Sequence, residues 1–130
     1  MKYLLDANAV IALFKGNAGM GRRVKQCQIQ DIGLSSIVPH ELYYGASRSN
    51  RADANRARID RLAFEHLYFT EHDALVAGEF RAMLVATGEP IGPYDTLIAG
   101  QALARDLSVI THNVREFGRI PGLRVEDWQS

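Results

Sequence analysis

The segment KYLLDANAV (Lys2–Val10) carries the strongest indication of how this chain folds. Its apolar run Tyr3–Leu5 is typical of a short buried strand, and the run ends abruptly in Asp6. A second apolar run begins almost at once, at Ala9. A carboxylate between two segments that should be buried costs free energy unless it is paired or hydrogen-bonded. The position of Asp6 therefore needs a physical reason.

Strand-like and helical segments alternate along the rest of the chain. Asn8 can cap a helix that reaches about Lys15 and ends at Gly16. Thr70 opens TEHD, a capping box with Asp in place of Glu, ahead of a helix that runs to about Ala86. This helix is predicted to have a broad apolar face, formed by Leu75, Phe80, Met83 and Leu84. The other predicted helices are Arg22–Gln28, a segment capped by Ser35 or Ser36 and ending near Ala46, Asp53–Ala63 and Tyr94–Arg105. The predicted strands are Tyr3–Leu5, Ile32–Leu34, His66–Phe69, Leu107–Ile110 and a short Leu123–Val125.

This alternation is typical of a parallel sheet with helices on both faces, so the predicted fold class is α/β with four to five strands. A chain of 130 residues is expected to form one domain, over residues 1–130. Ligands of such sheets bind at the carboxyl ends of the strands, near the point where the strand order reverses. Functional residues are therefore expected directly after the strands.

Charge and composition exclude several classes of protein. The 15 basic and 15 acidic residues balance, which argues against general nucleic-acid affinity through a coat of positive charge but leaves a local basic groove open. Cys27 is the only cysteine, so an internal disulfide or a cysteine metal cluster is excluded. No apolar run approaches the roughly 18 residues of a membrane span. We therefore expect a cytoplasmic protein with no membrane segment.

Acidic and amide side chains follow the predicted strands. Asp6 comes directly after the first strand, Glu41 lies in the helix after the second, and Asp95 starts the helix that leads into the fourth. Asn113 and Glu116 follow the fourth strand itself. Clustered carboxylates repel one another, and a hard cation such as Mg²⁺ or Mn²⁺ relieves that repulsion. The sequence therefore predicts a metal site that can activate water and bind a phosphodiester.

Each acidic position also has an ordinary structural interpretation. Asp6 can cap the following helix together with Asn8. Asp95 can be a plain N-cap behind Gly92 and Pro93. In the metal-site interpretation, by contrast, the helix dipole is expected to keep Asp95 ionised. Glu41 can face solvent. The joint occurrence of these residues at successive strand–helix junctions favours the metal site.

Three segments carry a resemblance to a known family: YLLDANAVIALFKG, LSSIVPHELYYGASRS and GEPIGPYDTLIAGQALARDLSVITHNVREFGRIPGLRVEDW. The last is the most specific, because few families join G-x-P-x-G-x-x-D-x-x-I-A to a later T-x-N-x-x-E-F. Over essentially its whole length the chain resembles a PIN-domain ribonuclease of the VapC type, the toxin of a type II toxin–antitoxin pair. The resemblance implies a PIN-like three-layer α/β/α fold around the central parallel sheet.

The resemblance also implies a Mg²⁺-dependent endoribonuclease, with Mn²⁺ as a substitute. The first three acids of the family match Asp6, Glu41 and Asp95. The position after the last core strand is often Asp in the family but is Asn113 here, and Glu116 can supply the missing charge. The implied catalytic residues are Asp6, Glu41, Asp95 and Glu116, and the implied metal ligands are Asp6 and Asp95, with Glu41 and Asn113.

Ala7 is a second departure from the family pattern, which usually has Thr or Ser there with a hydroxyl that supports the metal shell. The expected partners are an RNA substrate, notably initiator tRNA cut in the anticodon loop, and a cognate VapB-type antitoxin bound near the active site. A homodimer and a higher toxin–antitoxin assembly are also expected.

Three alternatives to the toxin remain open from the sequence. The chain can be a PIN-fold nuclease of RNA maturation, a PIN-fold nuclease acting on DNA, or a non-catalytic α/β binding module. A haloacid-dehalogenase-type phosphatase is disfavoured, because that chemistry needs a second Asp two residues after Asp6, where this chain has Asn8.

Overall fold

Five short strands pair into one sheet in a computed structural model of the chain, which describes residues 1–129. The strands are β1 (Tyr3–Leu5), β2 (Ile32–Ser35), β3 (Glu65–Leu67), β4 (Ser108–Ile110) and β5 (Val125–Glu126). Their order across the sheet is β3–β2–β1–β4–β5, and every neighbouring pair is parallel. The predicted parallel sheet of four to five strands is confirmed.

Helices fill the connections between the strands. They are α1 (Ala7–Phe14), α2 (Ala18–Gln26), α3 (Ile37–Ser47), α4 (Ala52–Asp60), α5 (Glu71–Ala86), α6 (Pro93–Ala104) and α7 (Val114–Phe117). The chain steps from β1 to β2 and β3 in one direction, then returns across the sheet to β4 and β5. Because such crossovers are right-handed, α1–α4 cover one face and α5–α6 the other, which gives three layers. Within residues 1–129, no helix is long and apolar enough to cross a membrane.

Strand β1 lies at the centre of the sheet, with its carboxyl end beside those of β2 and β4. Leu5 pairs with Leu34 on one side and with Ile110 on the other, and all three side chains are fully buried. The strand order reverses at β1, because the chain leaves it toward β2 and returns to its other side as β4. The residues that follow these strands therefore meet at one border of the sheet, called here the carboxyl edge.

The start of α1 differs from the prediction. Asp6, and not Asn8, is the N-cap, and its Oδ1 accepts a hydrogen bond of 2.8 Å from the Ala9 backbone N–H. Asn8 is exposed in the first turn. Asp6 is the single residue between β1 and α1, so it is the only residue in position to cap the helix. Gly16, with φ at +79°, follows the helix end as predicted.

Helix α5 begins as predicted but buries a narrower face, which includes the predicted Phe80 and Leu84. The capping box is present: Thr70 Oγ1 accepts from the Asp73 N–H at 3.2 Å, and Asp73 Oδ2 accepts from the Thr70 N–H at 2.8 Å. Leu75 and Met83, predicted on the apolar face, are 57% and 39% exposed. The buried residues of α5 are Asp73, Ala77, Phe80 and Leu84. The buried stripe is narrow because a single helix, α6, packs closely along it.

The short α7 is a further element that the sequence did not predict.

Helices α5 and α6 approach most closely at Gly100. A Cβ added there would lie 2.6 Å from the Ala77 Cβ and 3.1 Å from the Asp73 carbonyl oxygen. Neither neighbour can move aside without its helix, so Gly100→Ala should force the two helices apart. We expect this substitution to lower the free energy of unfolding, measured by urea denaturation, by about 1–2 kcal/mol.

Gly78→Ala is the matched control, because an added Cβ there has no atom within 4 Å. Gly78 is exposed in the interior of α5, so alanine should raise the free energy of unfolding by about 0.5–1 kcal/mol through helix propensity alone. Equal stability of the two alanine variants would contradict the close packing.

Candidate metal and active site

Asp6 leaves the central strand at the carboxyl edge and is only 2% exposed. Both of its carboxylate oxygens accept hydrogen bonds, Oδ1 from the Ala9 N–H and Oδ2 from the Thr111 hydroxyl at 2.5 Å. Burial raises the pKa of Asp6, and these two bonds offset the increase only in part. The carboxylate is thus held in place while its ionisation remains unfavourable, a cost that a nearby cation would remove.

Thr111 is a site residue that the sequence analysis missed. Leu5 of β1 pairs with Ile110 of β4 in the sheet. Asp6 and Thr111, which directly follow these two strands, therefore lie side by side. The Thr111 hydroxyl oxygen also accepts a hydrogen bond of 2.9 Å from the Asn113 backbone N–H. Thr111 thereby gives Asp6 a hydroxyl contact despite the alanine at position 7. Only the pairing of β1 with β4 reveals this contact.

Asp95 lies in the first turn of α6, behind Gly92 as N-cap and Pro93 as the first helical residue. The interpretation of Asp95 as the N-cap itself is therefore wrong. Burial, followed by the charges of Asp6 and Glu116, raises the pKa of Asp95 to about 6. The expected effect of the helix N-terminus, which favours the ionised form, is outweighed by burial and repulsion.

Glu41 reaches the site from the second turn of α3 and is half-buried. Burial raises the pKa of Glu41, and the charges of Asp95 and Asp6 raise it further. The interpretation of Glu41 as a freely solvated surface residue does not fit this position. Glu41 belongs to the same group of mutually repelling carboxylates as Asp6 and Asp95.

Asn113 and Glu116 complete the carboxyl edge after β4. The Asn113 side-chain amide donates a hydrogen bond of 2.7 Å to Glu116 Oε2. The Asn113 amide also lies close enough to Asp95 to lower the pKa of that carboxyl, against the larger effects that raise it. Asn113 thus interacts with two acidic side chains through its amide, whereas an aspartate at this position would add a further negative charge. Its role as a metal ligand stays a prediction.

His112 and Asp127 form a side-chain pair beside the site, and the contribution of Asp127 was not predicted from the sequence. His112 Nδ1 lies 2.9 Å from Asp127 Oδ2, and the charge of Asp127 contributes to the raised pKa of Asp6. Asp127 directly follows β5, and the position of β5 beside β4 brings it to the carboxyl edge.

The structure thus brings together four carboxylates from four separate segments, those of Asp6, Glu41, Asp95 and Glu116. Oxygen donors that repel one another in this way fit a hard cation such as Mg²⁺ or Mn²⁺. Among residues 1–129, no three His, Cys, Asp or Glu side chains already lie within reach of a single ion. One or two carboxylates together with water would therefore hold the ion, which is the usual way in which Mg²⁺ binds.

Comparison with known proteins agrees with this architecture. A family model described as PIN domain matches residues 3–123, and the chain belongs to the PIN-domain family. Two relatives named tRNA(fMet)-specific endonuclease VapC come from Salmonella typhimurium and Shigella flexneri. They are 39% identical over 130 residues and 37% identical over 131 residues, and each alignment covers 98% of both chains.

A similar solved structure is the DNA-bound VapBC of Salmonella typhimurium. It has a TM-score of 0.92 and 37% sequence identity, and the match covers 98% of each chain. Within its family the chain therefore falls in the VapC group, whose members are nucleases. The resemblance predicted from the sequence is confirmed.

Proposed function

We propose that this chain is the toxin of a toxin–antitoxin pair and acts as a Mg²⁺-dependent endoribonuclease on initiator tRNA, within the anticodon loop. The observation that carries the proposal is the group of repelling carboxylates at the carboxyl edge, with the pKa of Asp95 raised to about 6. The two VapC relatives named for activity on tRNA(fMet) support the choice of substrate.

In this proposal Asp6 and Asp95 hold the cation, with Glu41, Glu116 and Asn113 around it. When bound, a divalent cation activates water and neutralises charge at the scissile phosphate. Mn²⁺ would substitute for Mg²⁺, because it favours the same oxygen ligands.

The side chains of the site orient one another and move the proton. The Ala9 N–H and the Thr111 hydroxyl fix both oxygens of Asp6, and the Asn113 amide fixes Glu116. Glu41, whose pKa is raised, accepts the proton of the water that attacks phosphorus. The bond between phosphorus and the 3′ oxygen then breaks, and the 3′ oxygen takes a proton from solvent water, so the products carry a 5′-phosphate and a 3′-hydroxyl.

A groove beside the site fits the proposed antitoxin partner, a VapB-type protein. The groove lies between α1, α3 and α4, and Glu41 is one of the residues that line it. Arg58 crosses it, with its guanidinium 4.8 Å from the centre of the Phe14 ring. The apolar side chains that line the groove are Ile11, Phe14, Leu42, Ala46 and Ile59. A peptide with apolar anchors and an acidic group would fit this surface and cover the carboxylates. The proposed assembly also includes a toxin homodimer.

The test of the proposed function is cleavage of purified initiator tRNA by the purified chain, with elongator methionine tRNA as the matched substrate. We expect a cut in the anticodon loop of the initiator only, in Mg²⁺ or Mn²⁺ but not in EDTA. The new ends should be a 5′-phosphate and a 3′-hydroxyl. Absence of RNA cleavage in either metal would contradict the proposal, and equal cleavage of both tRNAs would contradict the substrate.

Thr111→Val should raise the Mg²⁺ concentration needed for half-maximal cleavage by about tenfold. Residues that orient a metal ligand commonly affect metal affinity by this much. Valine fills the same buried space but cannot donate to Asp6 Oδ2 or accept from the Asn113 N–H. The measurement is the Mg²⁺ concentration at half-maximal rate. Thr111→Ser keeps the hydroxyl and should behave as the wild type, and an unchanged Mg²⁺ response in Thr111→Val would remove Thr111 from the site.

A further inference from the structure

An aromatic cleft opens directly beside the carboxylate group. It is lined by His40, Glu41, Tyr44 and Tyr94. His40 and Tyr44 lie one turn apart on α3, on either side of Glu41 in the sequence, and Tyr94 directly precedes Asp95. The cleft therefore shares one wall with the site, and anything bound in it would lie beside the carboxylate of Glu41.

The rings of the cleft are exposed, yet they are held in place by neighbouring side chains. Tyr44 and Tyr94 are 59% and 45% exposed. The His40 and Tyr94 rings meet edge to face at 5.4 Å between centres, and His40 Nε2 lies 3.3 Å from the Tyr94 hydroxyl oxygen. Large exposed aromatic surface is unfavourable in water, whereas rings that are already ordered lose little entropy when they bind a flat partner.

Positive charge lies next to the rings. The Arg48 guanidinium carbon is 5.2 Å from the centre of the Tyr44 ring, and its Nη1 donates a hydrogen bond of 3.1 Å to the Tyr44 hydroxyl. Arg48 is exposed, so it can contact a phosphate while the ring below it contacts a base. Aromatic faces combined with a cation match unpaired nucleotides, which proteins bind by stacking and by contacts to the backbone.

We propose that this aromatic cleft binds one unpaired nucleobase next to the scissile phosphate, packed against the rings of both Tyr44 and Tyr94, with Arg48 on a neighbouring phosphate. The inference rests on the proposed ribonuclease function and deepens it. The cleft requires the base to leave its own stack, so the enzyme selects single-stranded loops over duplex RNA.

The test uses a hairpin RNA with a single 2-aminopurine in its loop, placed at each unpaired position in turn. In EDTA, binding to the wild-type chain should quench or shift the fluorescence at one position. In Mg²⁺, Tyr44→Ala and Tyr94→Ala should each raise the KM for the hairpin by about tenfold, the effect of losing one stacked base. The kcat of Tyr44→Ala should change little, and Tyr44→Phe, which keeps the ring, should retain the wild-type KM.

Tyr68→Ala is the matched control, since Tyr68 is 79% exposed and its carbonyl accepts from Arg105 at the far end of α6. If the wild type cleaves the hairpin while both tyrosine variants keep its KM and its fluorescence response, the base site is wrong and the proposed function stands. If the variants keep the RNA kinetics but lose affinity for the antitoxin, the cleft belongs to the partner and the inference is overturned. Failure of the wild type to bind or cleave RNA would overturn both proposals.

Discussion

Replacing Asp6 or Asp95 with asparagine is expected to reduce RNA cleavage by about 10²- to 10³-fold, which corresponds to several kcal/mol of lost transition-state stabilisation. Each substitution removes one negative charge from the carboxyl edge and so weakens the hold on the cation. Asparagine has nearly the same shape as aspartate. In Asp6→Asn the side-chain oxygen still accepts from the Ala9 N–H, and the new NH₂ group faces the Thr111 hydroxyl oxygen. The measurement is the single-turnover cleavage rate of all proteins at one Mg²⁺ concentration, chosen to saturate the wild type.

Asp31→Asn is the control for this prediction, because Asp31 directly precedes β2 and lies at the opposite, amino edge of the sheet. It should cleave RNA at the wild-type rate. Circular dichroism of all three variants should match that of the wild type, so that lost activity is not lost structure. Wild-type cleavage by both Asp6→Asn and Asp95→Asn would exclude the carboxylate group as the catalytic site.

The second large effect is expected in the free energy of unfolding. A rise in pH should lower it, and binding of the cation should raise it. The pKa of Asp95 is raised to about 6 in the folded chain, and those of Asp6 and Glu41 are also raised. A carboxyl with a raised folded pKa stabilises the fold below its unfolded pKa, and that contribution is lost as the pH rises through the folded value. In EDTA, Asp95 alone should therefore make the chain less stable near pH 7.5 than near pH 4 by about 1–2 kcal/mol, after allowance for solvent screening.

Mg²⁺ should reverse this loss. At a free concentration of about a hundred times its Kd, a ligand that binds only the folded state raises the free energy of unfolding by about 2.7 kcal/mol. In urea denaturation near neutral pH, Asp95→Asn should therefore be more stable than the wild type in EDTA and gain much less from Mg²⁺. A wild type that is insensitive to Mg²⁺, or an Asp95→Asn variant less stable than the wild type in EDTA, would contradict this prediction.

Local sequence patterns correctly predicted the central strand and the start of α5. The run Tyr3–Leu5 gave the central strand with its bounds, and TEHD gave the capping box of α5, because each depends on residues next to one another in the chain. The position of Asp6 directly after an apolar strand pointed to the carboxyl edge. Asp6 has two functions at that position. It caps α1, and its carboxylate belongs to the group of acidic side chains at the carboxyl edge.

The contacts that complete the site depend on how distant segments pair, and the sequence could not give them. Thr111 reaches Asp6 only because β4 pairs with β1 in a register that places Leu5 opposite Ile110. The exposure of Leu75 and Met83 depends on where α6 crosses α5, and not on the apolar periodicity of α5 alone. The raised pKa of Asp95 is likewise a property of the assembled edge, since burial and the charges of other segments outweigh the local helix N-terminus.

The central claim, that the carboxyl edge binds a divalent cation, is tested most directly by calorimetric titration of Mg²⁺ and Mn²⁺ into the wild type and Asp95→Asn. Titrations near pH 6, in two buffers of different ionisation enthalpy, also report protons released from the site. We predict saturable binding to the wild type with proton release, and binding at least about tenfold weaker in Asp95→Asn without it. Absence of saturable binding to the wild type, or equal binding to both proteins, would contradict the account.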